Sequence, residues 1–310
     1  MRLEQGAAPP VGIAQPLGRD VRRILAPNPS PMTFWGTNTY LLGHRQIAVV
    51  DPGPDSDAHL AAILDALAPG QSISHIFVTH AHLDHSPLAT RLGQETGAPV
   101  LAFGAARAGR SPVMEEIAQS APIGGGEGVD TAFAPDINLR DQDCVEGDGW
   151  SVIALWTPGH FGNHLCFELG DTVLSGDLVM GWASSLVSPP DGDLTQFMAS
   201  CARLQQRAAK VLFPGHGAPV TDPAARLDWL LAHRRMREAE ILSTLADGPQ
   251  TAAALAARIY TDTPAALLPA ASRNVLAHLI DLTGKSLARP LGALDADTLF
   301  EPVASPPANS

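Results

Sequence analysis

Residues 80–85 read His-Ala-His-Leu-Asp-His and directly follow a short apolar run. Such a run, bounded by polar residues, predicts a buried strand, with the six-residue segment forming the turn beyond its end. In this turn His80 and His82 can point the same way, while Asp84 and His85 face a neighbouring position. Imidazole and carboxylate donors without a thiolate suit zinc, or less selectively iron or manganese. The segment therefore predicts metal ligands at the end of a strand.

Three other segments end apolar runs in the same manner: Thr157-Pro158-Gly159-His160, Ser175-Gly176-Asp177 and Pro214-Gly215-His216-Gly217. Their glycines allow the backbone to approach a metal closely. The combined donor set is large enough for two divalent cations about 3.5–4 Å apart, with a bridging hydroxide that attacks a bond. We assign His80, His82 and His160 to one cation, Asp84, His85 and His216 to the other, and Asp177 to both. Asp84 is also the candidate catalytic residue, because its loss should abolish turnover and leave the core intact.

Three polar residues are candidates for supporting these ligands or lining the pocket. Asp51 ends an apolar strand, where its carboxylate could accept the free N–H of a ligand histidine or could simply begin a turn. Asn38 lies on a neighbouring strand, either in the pocket or as an ordinary polar strand residue. His164 follows His160 by four residues, two steps along one face of an extended chain, which would place it in the pocket.

Together these motifs resemble the metallo-β-lactamase superfamily. The resemblance extends to a subgroup of β-lactamase-like proteins that carry a C-terminal winged-helix domain, among them an animal mitochondrial endoribonuclease. It implies an α/β fold: an αββα sandwich with the metals at one edge of its two sheets, then a small winged-helix-like domain. The motifs that carry it beyond the metal segments are Gly36-Thr37-Asn38-Thr39-Tyr40-Leu41-Leu42, Asp51-Pro52-Gly53, His233-Arg234-Arg235, Tyr260-Thr261-Asp262-Thr263-Pro264 and Ser272-Arg273-Asn274-Val275-Leu276-Ala277-His278-Leu279.

The chain divides into three predicted parts. Residues 1–31 are rich in proline and predict an arm along the surface or a partly disordered lead. Residues 32–246 alternate strands and helices and form the catalytic domain. Residues 247–310 read as helix, turn, helix and a short extended segment, which is the winged-helix pattern. The Gly-, Pro- and Ala-rich stretch 104–148 receives no functional assignment.

Composition limits the partners. The net charge is −12, with 32 acidic against 20 basic residues, so the whole chain does not attract a polyanion. The second helix of the tail is mostly apolar, with Arg273 as its cation, which favours packing or substrate covering over duplex DNA binding. A local patch of Arg226, Arg234, Arg235 and Arg237 on one predicted helix keeps single-stranded RNA open, although Arg234 could instead pair with Glu238.

The compartment follows from cysteines and apolar runs. The three cysteines are far apart, with no CxxC, which is typical of a reducing compartment. No run approaches the roughly 18 apolar residues that a membrane helix needs. We therefore expect a cytoplasmic protein. The sequence does not define the oligomeric state.

Three activities are compatible with the resemblance. The first is a dinuclear zinc hydrolase of a small thioester or ester, similar to hydroxyacylglutathione hydrolases. The second is a single-strand endoribonuclease, and the third is a mononuclear iron persulfide dioxygenase, since those enzymes share the HxHxDH pattern. Antibiotic hydrolysis is disfavoured, because the best-known secreted zinc β-lactamases have a cysteine where Asp177 stands. Flavodiiron chemistry is disfavoured too, because those proteins have a glutamate where His82 stands.

Overall fold

Two β-sheets lie face to face in the computed structural model, which describes residues 5–18, 20–126 and 128–303. Aromatic side chains from both sheets fill the space between them, including Tyr40, Phe77, Trp150, Phe167 and Phe213. Helices cover the outer side of each sheet with separate apolar clusters. This arrangement confirms the predicted αββα sandwich.

The first sheet has seven strands that follow one another in chain order across the sheet. Its first four strands pair antiparallel and the rest pair parallel. The first two parallel connections pass through helices that pack on the outer face, and the helix of the third packs on the C-terminal unit. The elements are β1 (Gln15–Gly18), β2 (Val21–Leu25), β3 (Asn38–Leu42), β4 (Gln46–Val50), α1 (Asp57–Asp65), β5 (Ser72–Phe77), α2 (Pro87–Thr96), β6 (Val100–Ala102), α3 (Pro112–Ser120) and β7 (Ile137–Asn138).

The second sheet has five strands, and its last two pair in parallel through a crossover helix. Helix starts are fixed by side chains, as where Asp193 and Asp222 accept bonds from the backbone N–H three residues later. The elements are β8 (Cys144–Gly147), β9 (Trp150–Trp156), β10 (Leu165–Leu169), β11 (Thr172–Gly176), α4 (Leu194–Gln205), β12 (Val211–Pro214) and α5 (Pro223–Leu245).

The C-terminal segment forms the predicted winged-helix unit. It contains α6 (Ala252–Ile259), a 3-10 turn (Ala265–Leu267), α7 (Leu268–Gly284) and an antiparallel pair of short strands, β13 (Ala288–Pro290) and β14 (Phe300–Pro302). Its apolar core includes side chains of α3 and of the end of α5. The stretch 104–148, which was assigned no role, therefore joins the two parts of the fold. The predicted division after residue 246 stays a prediction.

The N-terminal segment differs from the expected surface arm. Within it, β1 and β2 form the edge of the first sheet, and β2 pairs with β3. Val21, Ile24 and Leu25 are at most 2% exposed. The prolines that suggested an arm lie mostly outside these strands, while the run 21–25 buries its apolar side chains in the sandwich.

No helix within the described residues combines the length and apolar composition that a bilayer crossing requires.

Candidate metal centre

The seven predicted ligands lie at one edge of the sandwich, where four strands end. Residues 80–85 come after β5, His160 follows β9, Asp177 follows β11 and His216 follows β12. The two sheets are joined at this edge by the backbone N–H of Asn38, which donates to Gly215 O over 2.8 Å. The structure therefore brings together residues that are up to 136 positions apart in the chain.

Three imidazoles form the first donor group. His80 Nε2 lies 2.9 Å from His82 Nδ1, and His160 Nε2 lies 3.2 Å from the same atom. Nitrogens bonded at about 2.0–2.1 Å to a tetrahedral cation lie about 3.3 Å apart. The three nitrogens thus have the spacing of ligands to one ion.

A carboxylate and two imidazoles form the second group. Asp84 Oδ2 lies 3.1 Å from His216 Nε2 and 3.4 Å from His85 Nε2. The two imidazole nitrogens are 3.3 Å apart. This group also has the spacing of ligands to a single ion.

Asp177 lies between the two groups. Its Oδ2 is 3.3 Å from His216 Nε2 and 3.8 Å from His160 Nε2. Its Oδ1 is buried and has no hydrogen-bond partner among the residues that the structure describes. A buried carboxylate oxygen without a partner is costly, so the position fits a bridging metal ligand.

Gly215 leaves the space that this arrangement needs. A Cβ at this position would overlap Asp177 Oδ1 and would lie 2.7 Å from His85 Cε1. Any larger residue would displace Asp177 and His85. The glycine of the Pro-Gly-His turn is therefore required by this close approach.

Asp51 lies beneath the cluster and holds two ligands. Its Oδ2 accepts a bond from His85 Nδ1 at 2.9 Å and another from Thr79 Oγ1 at 2.8 Å. The same threonine hydroxyl accepts from His80 Nδ1 at 3.0 Å. The backbone of Asp51 has a φ of +51°. Residues other than glycine rarely adopt this left-handed conformation, and those that do are often found at functional sites. The carboxylate thus lies against a ligand histidine, as expected from the sequence.

Two further ligand histidines, His160 and His216, are held by backbone carbonyls. His160 Nδ1 donates to Leu186 O at 2.6 Å, and His216 Nδ1 donates to Gly36 O at 3.1 Å. Bonds of this kind fix the ring orientation and leave the other nitrogen free for a metal. Leu186 and Gly36 were not predicted, because a backbone carbonyl leaves no trace in residue type.

Of the two roles considered for His164 and Asn38, the structure favours support of the ligands over lining of the pocket. Both are fully buried. His164 Nε2 accepts the backbone N–H of Asp177 at 3.1 Å. Asn38 Nδ2 donates to the carbonyls of Pro214 and Gly217, on either side of His216. Each side chain therefore positions the backbone of a ligand and does not face the cleft.

The surroundings shift the pKa values of the histidines in opposite directions in the two donor groups. Burial, together with the neighbouring His160, lowers the pKa of His82 to about 3, and burial also lowers the pKa of His160. These imidazoles stay neutral, as metal ligands must. In the second group, burial opposes protonation of His216, but Asp177 and Asp84 outweigh it and raise its pKa to about 10. The carboxylates therefore favour positive charge beside them, which a divalent cation supplies.

A cleft of about 510 Å³ opens over the cluster. Its floor contains ligands from both groups, and its walls are mainly apolar, with Met32 and Leu186 among them. Helix α7 supplies a further wall through Pro269, Ala270 and Arg273. The glycine-rich loop contributes Gly126 and Gly128. The position of Pro269, Ala270 and Arg273 agrees with the substrate-covering role that the sequence favours for this helix. Met32, Leu186 and the glycines were not predicted as wall residues, although the run of glycines at 124–126 is a visible signal of close approach.

The predicted basic patch on α5 is turned inward in part. Arg226 and Arg234 are each only 2% exposed. Arg226 donates to the carbonyls of Met180 and Ala183, and Arg234 donates to the carbonyl of Ser185. These arginines therefore hold the loop after Asp177 and are not presented to a polyanion.

Nearby cations are paired. Glu238 pairs with Lys285 at 2.5 Å, so the predicted pair with Arg234 is wrong. Three basic residues on the second sheet's side are also paired with carboxylates: Arg203 with Asp141, Arg207 with Glu168 and Lys210 with Asp171.

Comparison with known proteins gives two family matches. Residues 32–216 match the model described as metallo-beta-lactamase superfamily, and residues 251–291 match the beta-lactamase associated winged helix domain. A beta-lactamase-like protein 2 homolog from Drosophila melanogaster is 32% identical over 278 residues, which cover 86% of this chain and 88% of that protein. An atrochrysone carboxyl ACP thioesterase from Passalora fulva is 30% identical over 73% of this chain and 62% of its own length.

A solved structure covers almost the whole chain. The metallo-beta-lactamase family protein from Thermus thermophilus has a TM-score of 0.74 and 26% identity, over 93% of this chain and 100% of that one. The likeness includes the sandwich and extends over most of the C-terminal unit.

Proposed function

The chain belongs to the metallo-β-lactamase superfamily as a hydrolase, and from this premise we propose that it uses two zinc ions to cleave a small thioester or ester. Iron or manganese would fit the same donors, but zinc suits an imidazole-rich tetrahedral site best. His80, His82 and His160 would hold one ion, and Asp84, His85 and His216 the other. Asp177 would bridge them.

The ions would polarise the bond under attack and lower the pKa of a water held between them. Residues of the chain orient the ligands and shape the cleft. Asp51 keeps the rings of His85 and His80 in the orientation in which their free nitrogens face the cleft. His164 holds the backbone of Asp177 in place. The apolar walls exclude water from the substrate and favour an apolar acyl group.

The size and apolar lining of the cleft support a small substrate. Met32, Leu186, Pro269 and Ala270 enclose a volume that suits a compact molecule. Thioester cleavage is favoured within this class because the Passalora fulva relative is named as a thioesterase. A thiol also has a pKa of about 8.5, so a thiolate departs readily without a strong proton donor.

Single-stranded RNA is the second candidate, and the α5 arginines disfavour it. A strand of RNA needs basic side chains along its backbone and aromatic surfaces for its bases. Arg226 and Arg234 are committed to backbone carbonyls inside the protein. The third candidate is a persulfide dioxygenase with a single iron. The second group of closely spaced donors supports the two-metal proposal over this candidate.

One experiment separates the three. The metal content of the purified full-length chain is measured, and the protein is assayed against S-acyl thioesters, single-stranded RNA and a glutathione persulfide with an oxygen electrode. We expect two zinc ions per chain and thioester turnover that is lost in Asp84→Ala. One iron with oxygen consumption, or RNA cleavage without thioester turnover, would overturn the proposal.

A further inference from the structure

We propose that Asn274, on the winged-helix unit, is a positioning residue of the metal centre, because it fixes the peptide group that holds the ligand His160. This inference rests on the proposed function in one respect, that the site holds metal. It gives α7 a role in the centre itself, beyond forming a wall of the cleft.

A single peptide group connects the two residues. His160 Nδ1 donates to Leu186 O at 2.6 Å. The N–H of Val187, in the same peptide group, donates to Asn274 Oδ1 at 3.0 Å. A trans peptide is rigid and planar, with C=O and N–H on opposite sides. By holding the N–H, Asn274 therefore sets the direction in which the carbonyl meets the imidazole.

The same connection has an electronic effect. A peptide group that donates through its N–H becomes polarised, and its carbonyl oxygen becomes a better acceptor. A stronger acceptor at Nδ1 makes the opposite nitrogen of His160 a better metal ligand. Asn274 thus supports both the orientation and the basicity of this ring.

Asn274 is the hydrogen-bond partner of a buried backbone group. Val187 is fully buried, so loss of the asparagine side chain would leave its N–H without this acceptor. Arg234, which is 2% exposed, also donates to Asn274 Oδ1, at 3.1 Å. A guanidinium only donates, so this contact fixes the side-chain oxygen, and not the nitrogen, toward the loop.

Neighbouring contacts hold the rest of the loop. Arg234 binds the carbonyl of Ser185. Arg273 Nε donates to Ser188 Oγ at 2.9 Å. Residues 185–188 are therefore held on both sides of the critical peptide, and Asn274 is the contact that acts on the peptide itself.

The test compares variants of the full chain. Asn274→Ala removes the acceptor, and Asn274→Asp keeps an oxygen for both donors. Thr195→Val is the matched control, because it removes a side-chain hydrogen bond to Asp281, which lies about two turns along α7 from Asn274. Zinc affinity is measured by competition with a chelator, and Co²⁺ binding is followed by its visible absorption spectrum.

We expect Asn274→Ala to bind one of two zinc ions about 10-fold more weakly and to alter the Co²⁺ spectrum. Asn274→Asp and Thr195→Val should bind both ions as the unmodified chain does. If the alanine variant does not fold, Asn274→Ser, whose hydroxyl is too short to reach the N–H, carries the same expectation. Unchanged affinity and spectrum in a folded Ala or Ser variant would overturn the inference. If the unmodified chain binds no metal, the proposed function fails first, and the inference fails with it.

Discussion

His85 donates from Nδ1 to Asp51 Oδ2 over 2.9 Å, with the two side chains 0% and 3% exposed. Asp51 also accepts the hydroxyl of Thr79, which in turn accepts from His80. One carboxylate beneath the cluster therefore orients a ligand of each donor group. Its strained backbone conformation is maintained by three hydrogen bonds from two residues.

Asp51→Asn should weaken zinc binding by about 10- to 100-fold, because the amide is a weaker acceptor for His85 and Thr79. Chelator competition measures the change. Asp55→Asn is the control, since Asp55 lies on the nearby surface with its side chain 66% exposed. Equal affinities in the two variants would contradict the prediction.

Asp84→Ala should lower thioester turnover by more than about 100-fold. Loss of a residue that only orients a metal ligand costs up to about 100-fold, and Asp84 is itself a predicted ligand. The protein should remain folded, because the substitution removes a ligand and no apolar core volume. Turnover and circular dichroism are measured together. Leu83→Ala, in the same turn and 51% exposed at present, serves as the control and should keep most of the activity. Full activity with two bound metals in Asp84→Ala would refute the assignment.

Removing metal with a chelator should lower the melting temperature by several degrees. A ligand that binds only the folded state stabilises it by about 4 kcal/mol when its free concentration is 1,000 times its Kd. Metal loss also leaves the carboxylates of Asp84 and Asp177 without a cation between them. Scanning calorimetry with and without added zinc measures the shift, and an unchanged melting temperature would count against a metal centre.

Arg234→Met should lower the free energy of unfolding by about 1–3 kcal/mol, because buried carbonyl groups lose their donor. Arg235→Met, its exposed neighbour on α5, should change it by no more than about 0.5 kcal/mol. Chemical denaturation compares the two. Equal, small effects would mean that Arg234 is a surface residue and would reopen the case for a polyanion.

Stability should fall as the pH drops below about 6.5, in part because of His278. Its ring is 1% exposed, and burial, with the charge of Arg234, lowers its pKa to about 3. The unfolded chain therefore binds a proton that the folded chain does not, between the unfolded value near 6.5 and about 3. As the pH falls below 6.5, the free energy of unfolding therefore decreases by up to about 1.4 kcal/mol per pH unit because of this residue.

His278→Leu should make unfolding less dependent on pH in this window. Denaturation at pH 7 and pH 5 measures the slope for both proteins. His44→Gln, at a side chain that is 56% exposed, is the control and should leave the slope unchanged. A slope that is unaffected by His278→Leu would contradict the prediction.

The ligand cluster was predictable because each ligand follows the end of an apolar strand, and strand ends meet at a sheet edge. Asp51 was predictable for the same reason. The contacts of Leu186, Gly36 and Asn274 were not, since two of them act through backbone carbonyls and the third comes from a different part of the chain. Such contacts depend on tertiary distance, which residue type and spacing do not encode.

Two features of the structure differ from the reading of the sequence, although each had a local signal. Arg226, Leu230 and Arg234 are four residues apart, so they lie along one face of α5, and Leu230 is fully buried. The helical period therefore indicated that these arginines point inward. In the N-terminal segment the prolines outweighed the run Val21-Arg22-Arg23-Ile24-Leu25, which is long enough for a strand.

Pro269 and Ala270 line the cleft from a helix that carries none of the predicted metal ligands. The predicted ligands are spread over four strand ends, but these two side chains belong to the first turn of one helix, ahead of Asn274. Under the proposed function, changes at these two positions would alter the acyl preference and leave the hydrolytic chemistry unchanged. A laboratory library restricted to this turn would sample such changes.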